Sequence, residues 1–249
     1  MGWFGKTLFF MREYFLPFGC GICGNTLLTK DETWYGLCND CMTGLCAENI
    51  LRAERCDLCG RPLVSEFHRC LQCRANAEIE LPAYDRVIAI FPFLGKYRKL
   101  LGAYKFGKSL ATGHFLAEKL LDAAKLFHAE NTTDNIMEKQ ILVPVPPRPG
   151  KIHRTGWDQI ESLAKLISHI PDSPEIVRCL KRKASQTQKE LDRQDRRTNL
   201  KGRIIAEKAP KNCILFDDVI TTGSTLNACA AALKSAGAER VYGICLFYD

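Results

Sequence analysis

The segment Ile214-Leu-Phe-Asp-Asp-Val-Ile-Thr-Thr-Gly-Ser-Thr225 constrains the fold of this chain more than any other. An apolar run ends in two adjacent acids, opens into a loop of small residues, and passes at once into a helical pattern. The order is strand, acidic pair, loop, helix N-terminus. Backbone N–H groups at a helix start lack intrahelical partners and carry the positive end of the helix dipole, so they favour an anion. Gly223 lets the backbone approach such an anion, and the hydroxyls of Thr221, Thr222, Ser224 and Thr225 add donors. Asp217 and Asp218 cannot be phosphate ligands, because like charges repel. They suit sugar hydroxyls, which donate to carboxylates. The segment reads as a cradle for a ribose 5-phosphate. A Thr/Ser-rich cap after a buried strand, with the acids on the surface, is the plainer alternative.

These residues resemble the signature of the type I phosphoribosyltransferases. That resemblance implies phosphoribosyl pyrophosphate with magnesium as the ligand, Asp217 and Asp218 as the catalytic carboxylates, and Thr221 to Thr225 as the phosphate loop. The segment is not a Walker A loop, since no Gly-Lys-Ser/Thr follows.

The front third carries a second constraint. Of thirteen cysteines, nine fall between Cys20 and Cys73. Cys20-x-x-Cys23 and Cys38-x-x-Cys41 are separated by fourteen residues, and Cys56-x-x-Cys59 and Cys70-x-x-Cys73 by ten. Two CxxC turns each supply one edge of a tetrahedron, so this spacing points to zinc. Gly24 and Gly60 follow their pairs and ease a turn whose amides face the sulfurs. Two sequential four-cysteine sites are the simplest arrangement. A crossed pairing of first with third and second with fourth is another, and a single occupied site a third. A full thiolate set leaves no position for water, so the ion is structural. Cys179, Cys213, Cys229 and Cys245 stand in apolar contexts and read as small buried hydrophobes.

Charge is concentrated rather than spread. The chain is +7 overall, and Arg178 to Arg203 alone holds ten Lys/Arg against Glu190, Asp192 and Asp195. Such a segment suits pyrophosphate, nucleic acid, or simply a solvated helix face. No run is long enough to span a membrane. Phe4, Leu8, Met11 and Phe15 recur at helical spacing, so residues 1–18 form an amphipathic helix that docks on the cysteine-rich domain or lies on a membrane surface. Lys6, Arg12 and Glu13 interrupt the apolar stretch and no small-residue cleavage site follows, which argues against a signal peptide, and Lys6 stands where a myristoylation signal needs Ser or Thr. The expected compartment is the cytoplasm, whose reducing conditions argue for metal over disulfides.

The texture changes at Ala83. Strand patterns at Asp85–Phe93, Gln140–Val145, Asn212–Phe216 and Arg240–Phe247 alternate with helical patterns at Leu116–Phe127, Ile160–Ile167 and Leu226–Leu233. Alternation of this kind implies a mostly parallel sheet flanked by helices, with ligands at the carboxyl ends of the strands. Three regions follow: an N-terminal helix at 1–18, a zinc-ribbon-like four-cysteine domain at 19–78, and a phosphoribosyltransferase-like α/β domain at 83–249.

The whole order resembles the ComF family (ComFC/GntX-like) of competence-associated proteins. Phe91-Pro-Phe93, Tyr104-Lys-Phe-Gly107, Val143-Pro-Val-Pro146, and Gln188, Leu191, Arg196 and Asn199 match that family's segments. One segment departs. The family usually carries Arg-Gly-Phe/Tyr-Asn-Gln where this chain has Thr155-Gly-Trp-Asp-Gln159, which removes a donor and adds a negative charge on the pyrophosphate side. The resemblance implies a role in DNA uptake in natural competence. It carries three readings: a binder of the sugar phosphate, an active pentosyl transferase on an unidentified acceptor, or a single-stranded DNA module without turnover. It also implies the DNA-uptake machinery at the inner membrane as a partner. Lys105, Arg148, Arg182 and Arg196 are the basic candidates for pyrophosphate.

Overall fold

A computed structural model describes residues 19–46, 54–75, 81–130, 140–183 and 203–249. The expected helix at 1–18, and the middle of the basic segment with Gln188, Leu191, Arg196 and Asn199, lie outside the described residues. The chain divides into two compact units: residues 1–49 with 94–115, and residues 50–93 with 116–249.

The larger unit is built on one five-stranded sheet. Its strands are β1 (Arg86–Pro92), β2 (Ile141–Pro144), β3 (Glu175–Ile176), β6 (Asn212–Ile220) and β7 (Arg240–Tyr248). They lie in the order β1-β7-β6-β2-β3, and every pairing is parallel. Helices cover parallel strands on both faces, so the strands read as near-continuous apolar runs. Val87 to Phe91 are all buried accordingly. A short antiparallel pair, β4 (Leu180–Arg182) with β5 (Ile204–Ala206), packs Leu180 and Ile204 into a core with Val143, Leu215, Leu226 and Leu233.

The helical patterns fall where the apolar spacing places them. Helix Gln159–Ser168 buries Ile160, Leu163, Ala164 and Ile167, and helix Ser224–Ser235 buries Leu226, Cys229, Ala230 and Leu233. On helix Leu110–Glu130, Ala123 is fully buried and Leu121 only partly so. Phe127 of that helix stacks on Tyr242 at 4.8 Å between ring centroids.

Register explains where the sheet opens. Leu142, Val143 and Pro144 pair with Ile214, Leu215 and Phe216, and Val145 N–H donates to the Phe216 carbonyl at 3.1 Å. There β2 stops. The sequence predicts that β6 stops at Phe216 too, because the acids break its apolar run. Instead β6 continues to Ile220, paired on one side with β7 through Asp217↔Cys245, Val219↔Phe247 and Ile220↔Tyr248. Pairing with a buried neighbour outweighs the poor strand propensity of two acids. The overhang carries both carboxylates past the end of β2.

The smaller unit holds helices Lys30–Tyr35, Asn39–Cys46 and Gly95–Lys105 and the first turn of Leu110–Glu130. Thr29 and Glu32 form a capping box, with Thr29 Oγ1 accepting from Glu32 N–H at 3.2 Å and Glu32 Oε2 accepting from Thr29 N–H at 2.9 Å. Glu32 Oε1 also accepts from Asn39 N–H at 2.8 Å, which joins two short helices. Trp34 stacks on His114 at 3.9 Å.

Candidate functional site

Successive strand residues face opposite sides of a sheet, so the two acids part company. Asp217 lines a small, open cleft together with Thr221, Thr222, Gly223, Ser224 and Thr225. Its Oδ1 accepts from Asp218 N–H at 2.8 Å. Asp218 is 7% exposed. Its Oδ1 accepts from Val219 N–H at 3.0 Å, and its Oδ2 accepts from Gln159 Nε2 at 2.9 Å.

The loop turns into helix Ser224–Ser235 at Gly223, which has φ 73°. That left-handed conformation favours glycine. Gly223 has no side chain to cap the first turn, and Ser224 N–H donates to Thr222 Oγ1 at 3.4 Å. Thr222 Oγ1 and Ser224 Oγ lie 2.7 Å apart, so two hydroxyls converge at the same mouth. Cys245 also borders the cleft. Burial, then the Asp217 and Asp218 carboxylates, push its thiol well above the ordinary value and keep it neutral. Cys229 is shifted the same way by burial and Asp217. Neither is a thiolate nucleophile.

The departing turn, Thr155–Gln159, approaches the acids from the neighbouring helix. The sequence places the Asp158 charge on the pyrophosphate side. The structure spends it internally: the side chain is 3% exposed and pairs with Lys151 Nζ at 2.7 Å. Asp158 Oδ1 also caps helix Gln159–Ser168, accepting from Ile160 and Glu161 N–H at 3.0 Å each. Lys151 Nζ donates to Gln159 Oε1 as well, so one lysine fixes both the cap and the glutamine that holds Asp218. Lys151 carries no motif in the sequence and emerges only from these contacts.

Of the basic candidates, Arg182 sits on β4 and is partly buried. Burial lowers its guanidinium pKa; Arg148 and Arg203 lower it further, while Cys229 and Asp217 oppose. Three arginines thus share one electrostatic neighbourhood with the cleft carboxylate. Arg148 is exposed after the β2 end. Lys105 ends helix Gly95–Lys105 in the other unit, and Arg196 lies outside the described residues.

The cysteines form two sequential groups, Cys20, Cys23, Cys38, Cys41 and Cys56, Cys59, Cys70, Cys73, each with its sulfurs within 4.8 Å of one another. A tetrahedral ion about 2.3 Å from each sulfur sets sulfur–sulfur separations of about 3.8 Å. Cys23 and Cys38 sulfurs lie 3.6 Å apart, and Cys59 and Cys70 sulfurs 3.8 Å. Both groups fit zinc. Amides of Ile22 and Cys23 hydrogen-bond the Cys20 sulfur, and those of Leu58 and Cys59 the Cys56 sulfur. Gly24 and Gly60, with φ 82° and 68°, close the two turns by donating to the Cys20 and Cys56 carbonyls at 2.9 Å each.

The second group is set against β1. A methyl at Gly60 would lie 2.3 Å from the Val87 carbonyl oxygen. Ala89 N–H donates to the Gly60 carbonyl at 3.1 Å, and Arg55 Nη1 bridges the Gly60 and Ala89 carbonyls at 2.8 and 2.7 Å. Burial lowers the Arg55 pKa to about 10. Among the described residues no helix is long and apolar enough to cross a membrane.

A family model described as a phosphoribosyl transferase domain matches residues 162–249. That span contains the β6 overhang, the loop and the helix after it, and the chain carries a phosphoribosyl transferase domain of mostly parallel sheet behind two four-cysteine clusters. Relatives cover nearly the full length. Competence protein F of Haemophilus influenzae is 29% identical over 234 residues, 91% of this chain and 95% of that protein. DNA utilization protein YhgH of Escherichia coli (strain K12) is 27% identical over 232 residues, 91% of this chain and 96% of that protein. Competence protein ComFC of Streptococcus pneumoniae is 26% identical over 235 residues, 89% of this chain and 96% of that protein. The chain is similar to these competence and DNA utilization proteins over nearly its full length.

Proposed function

We propose that the chain binds phosphoribosyl pyrophosphate, or a related sugar phosphate, with magnesium, in a cytoplasmic protein that serves DNA uptake in natural competence. One observation carries the ligand class. The β6 overhang sets Asp217 beside a glycine-capped helix start, and Thr221 to Thr225 line the same cleft. Thr221 to Thr225 take the 5′-phosphate through amide and hydroxyl donors. Asp217, which lines the cleft, accepts from the ribose hydroxyls, and Asp218, on the opposite side of the strand and steadied by Gln159, supports it from behind. Asp217 would be the chain's own anionic donor for magnesium, which would supply charge neutralisation at the leaving group. Arg148 and Arg182 are the chain's own cations for pyrophosphate. Pentosyl transfer to an acceptor would need little beyond this positioning and charge stabilisation.

The test is calorimetric titration of zinc-loaded protein with phosphoribosyl pyrophosphate, with and without magnesium. Saturable binding that weakens without the metal supports the reading, and absence of binding in both conditions removes it.

A single-stranded DNA module is the second reading. The shared neighbourhood of Arg148, Arg182 and Arg203 favours it, as do the printed roles of the relatives in competence and DNA utilization. Backbone-dominated binding falls steeply with salt. Oligonucleotide affinity that is flat between low and physiological salt contradicts it.

A further inference from the structure

We infer that Tyr84 is a positioning residue that ties the Cys56–Cys59 turn to the phosphate loop, so that the second cysteine cluster sets the geometry of the sugar-phosphate site. The ligand half of this inference rests on the phosphoribosyl reading; the mechanical half does not.

Tyr84 precedes β1 and is 7% exposed. Its hydroxyl donates to the Leu58 carbonyl at 2.6 Å, inside the Cys56-Asp-Leu-Cys59 turn. The same oxygen stands over the loop: a methyl at Gly223 would lie 3.2 Å from it. The preceding residue grips the other side of the helix start. Ala83 N–H donates to Asn227 Oδ1 at 2.6 Å, and Asn227 N–H closes the first turn on the Gly223 carbonyl at 2.8 Å. Residues 83 and 84 therefore hold both Gly223 and Asn227.

The far end of this strut is fixed too. Gly60 has no room for a side chain against Val87, and Arg55 staples its carbonyl to Ala89. The Leu58 carbonyl thus presents a stationary acceptor only while the cysteine turn keeps its shape. A side chain with two torsions and a buried hydrogen bond transmits that shape at little entropic cost. Neither Tyr84 nor Asn227 belongs to a metal or phosphate motif, so the sequence gives no signal for the link.

The test is Tyr84→Phe in the full-length, zinc-loaded chain, which keeps the ring and deletes one hydrogen bond. Zinc content stays at the wild-type value. Amide exchange across residues 222–228 speeds up about three- to tenfold, the loss expected for one buried hydrogen bond, and magnesium-dependent affinity for phosphoribosyl pyrophosphate falls by a similar factor. Cys73→Ser, which disturbs the same cluster from its other side, speeds exchange at the same amides. Unchanged exchange in Tyr84→Phe overturns the inference, as does faster exchange with unchanged affinity. If the wild-type chain binds no phosphoribosyl pyrophosphate while Tyr84→Phe still loosens residues 222–228, the strut stands and the ligand reading falls.

Discussion

Asp158 offers a quantitative check on how the candidate site is supported. Its carboxylate performs two tasks: it caps helix Gln159–Ser168 through two amides at 3.0 Å, and it pairs with Lys151 at 2.7 Å. Loss of an N-cap costs about 1 kcal/mol. Loss of a charged hydrogen bond to an ammonium that is 26% exposed costs about 1–2 kcal/mol, since water reaches the abandoned lysine only in part. Asp158→Ala therefore destabilises by about 2–3 kcal/mol. Asparagine caps as well as aspartate through its one oxygen, but its Nδ2 donor then faces Lys151 Nζ, so Asp158→Asn keeps the cap, loses the Lys151 bond and costs about 1–2 kcal/mol. Urea unfolding of the zinc-loaded protein, with an unchanged slope, measures both. The asparagine variant restores the residue usual in the resembling family, and its affinity for phosphoribosyl pyrophosphate stays within about twofold of wild type. Equal losses for Ala and Asn refute the capping role. Changes under about 0.5 kcal/mol in both refute the account of this turn.

Three further outcomes follow from the same geometry. Gly60→Ala costs about 3 kcal/mol or more, because φ is 68° and the added methyl meets the Val87 carbonyl, whereas Gly24→Ala, with φ 82° and open space, costs about 1–2 kcal/mol in thermal unfolding. Metal analysis of the purified chain gives two zinc ions, and Cys70→Ser with Cys73→Ser lowers the count to one, as expected for two sequential sites. On the proposed assignment of Arg182 to the pyrophosphate, Arg182→Ala weakens phosphoribosyl pyrophosphate about tenfold and ribose 5-phosphate less than twofold in competition titrations.

Much of this architecture was legible from local pattern. The apolar spacing of Ile160, Leu163, Ala164 and Ile167 fixed a helix face because one side of a helix must be buried. Alternating strands and helices predicted the parallel sheet, and the CxxC spacing predicted sulfur groups whose sequential pairing the structure then selected. Three things escaped. The acids look like a strand end, and only pairing with β7 carries β6 through them to Ile220. Asp158 looks like an added surface charge, and only a tertiary contact with Lys151 shows it to be internal. Tyr84 and Asn227 look like ordinary residues, and only long-range hydrogen bonds join them to the cysteine turn and the loop. In each case the deciding partner is remote in sequence, where periodicity carries no information.

The central claim is that the Asp217–Thr225 segment is a sugar-phosphate cradle. The most direct measurement is calorimetric titration of phosphoribosyl pyrophosphate with magnesium into the wild-type chain and into Asp217→Asn with Asp218→Asn. The account predicts saturable binding to the wild type and a loss of about tenfold or more in the double variant, because the Asp217 carboxylate accepts a hydrogen bond from a ribose hydroxyl, a charge-assisted contact worth about 1.5–3 kcal/mol. Binding that survives both substitutions unchanged contradicts it.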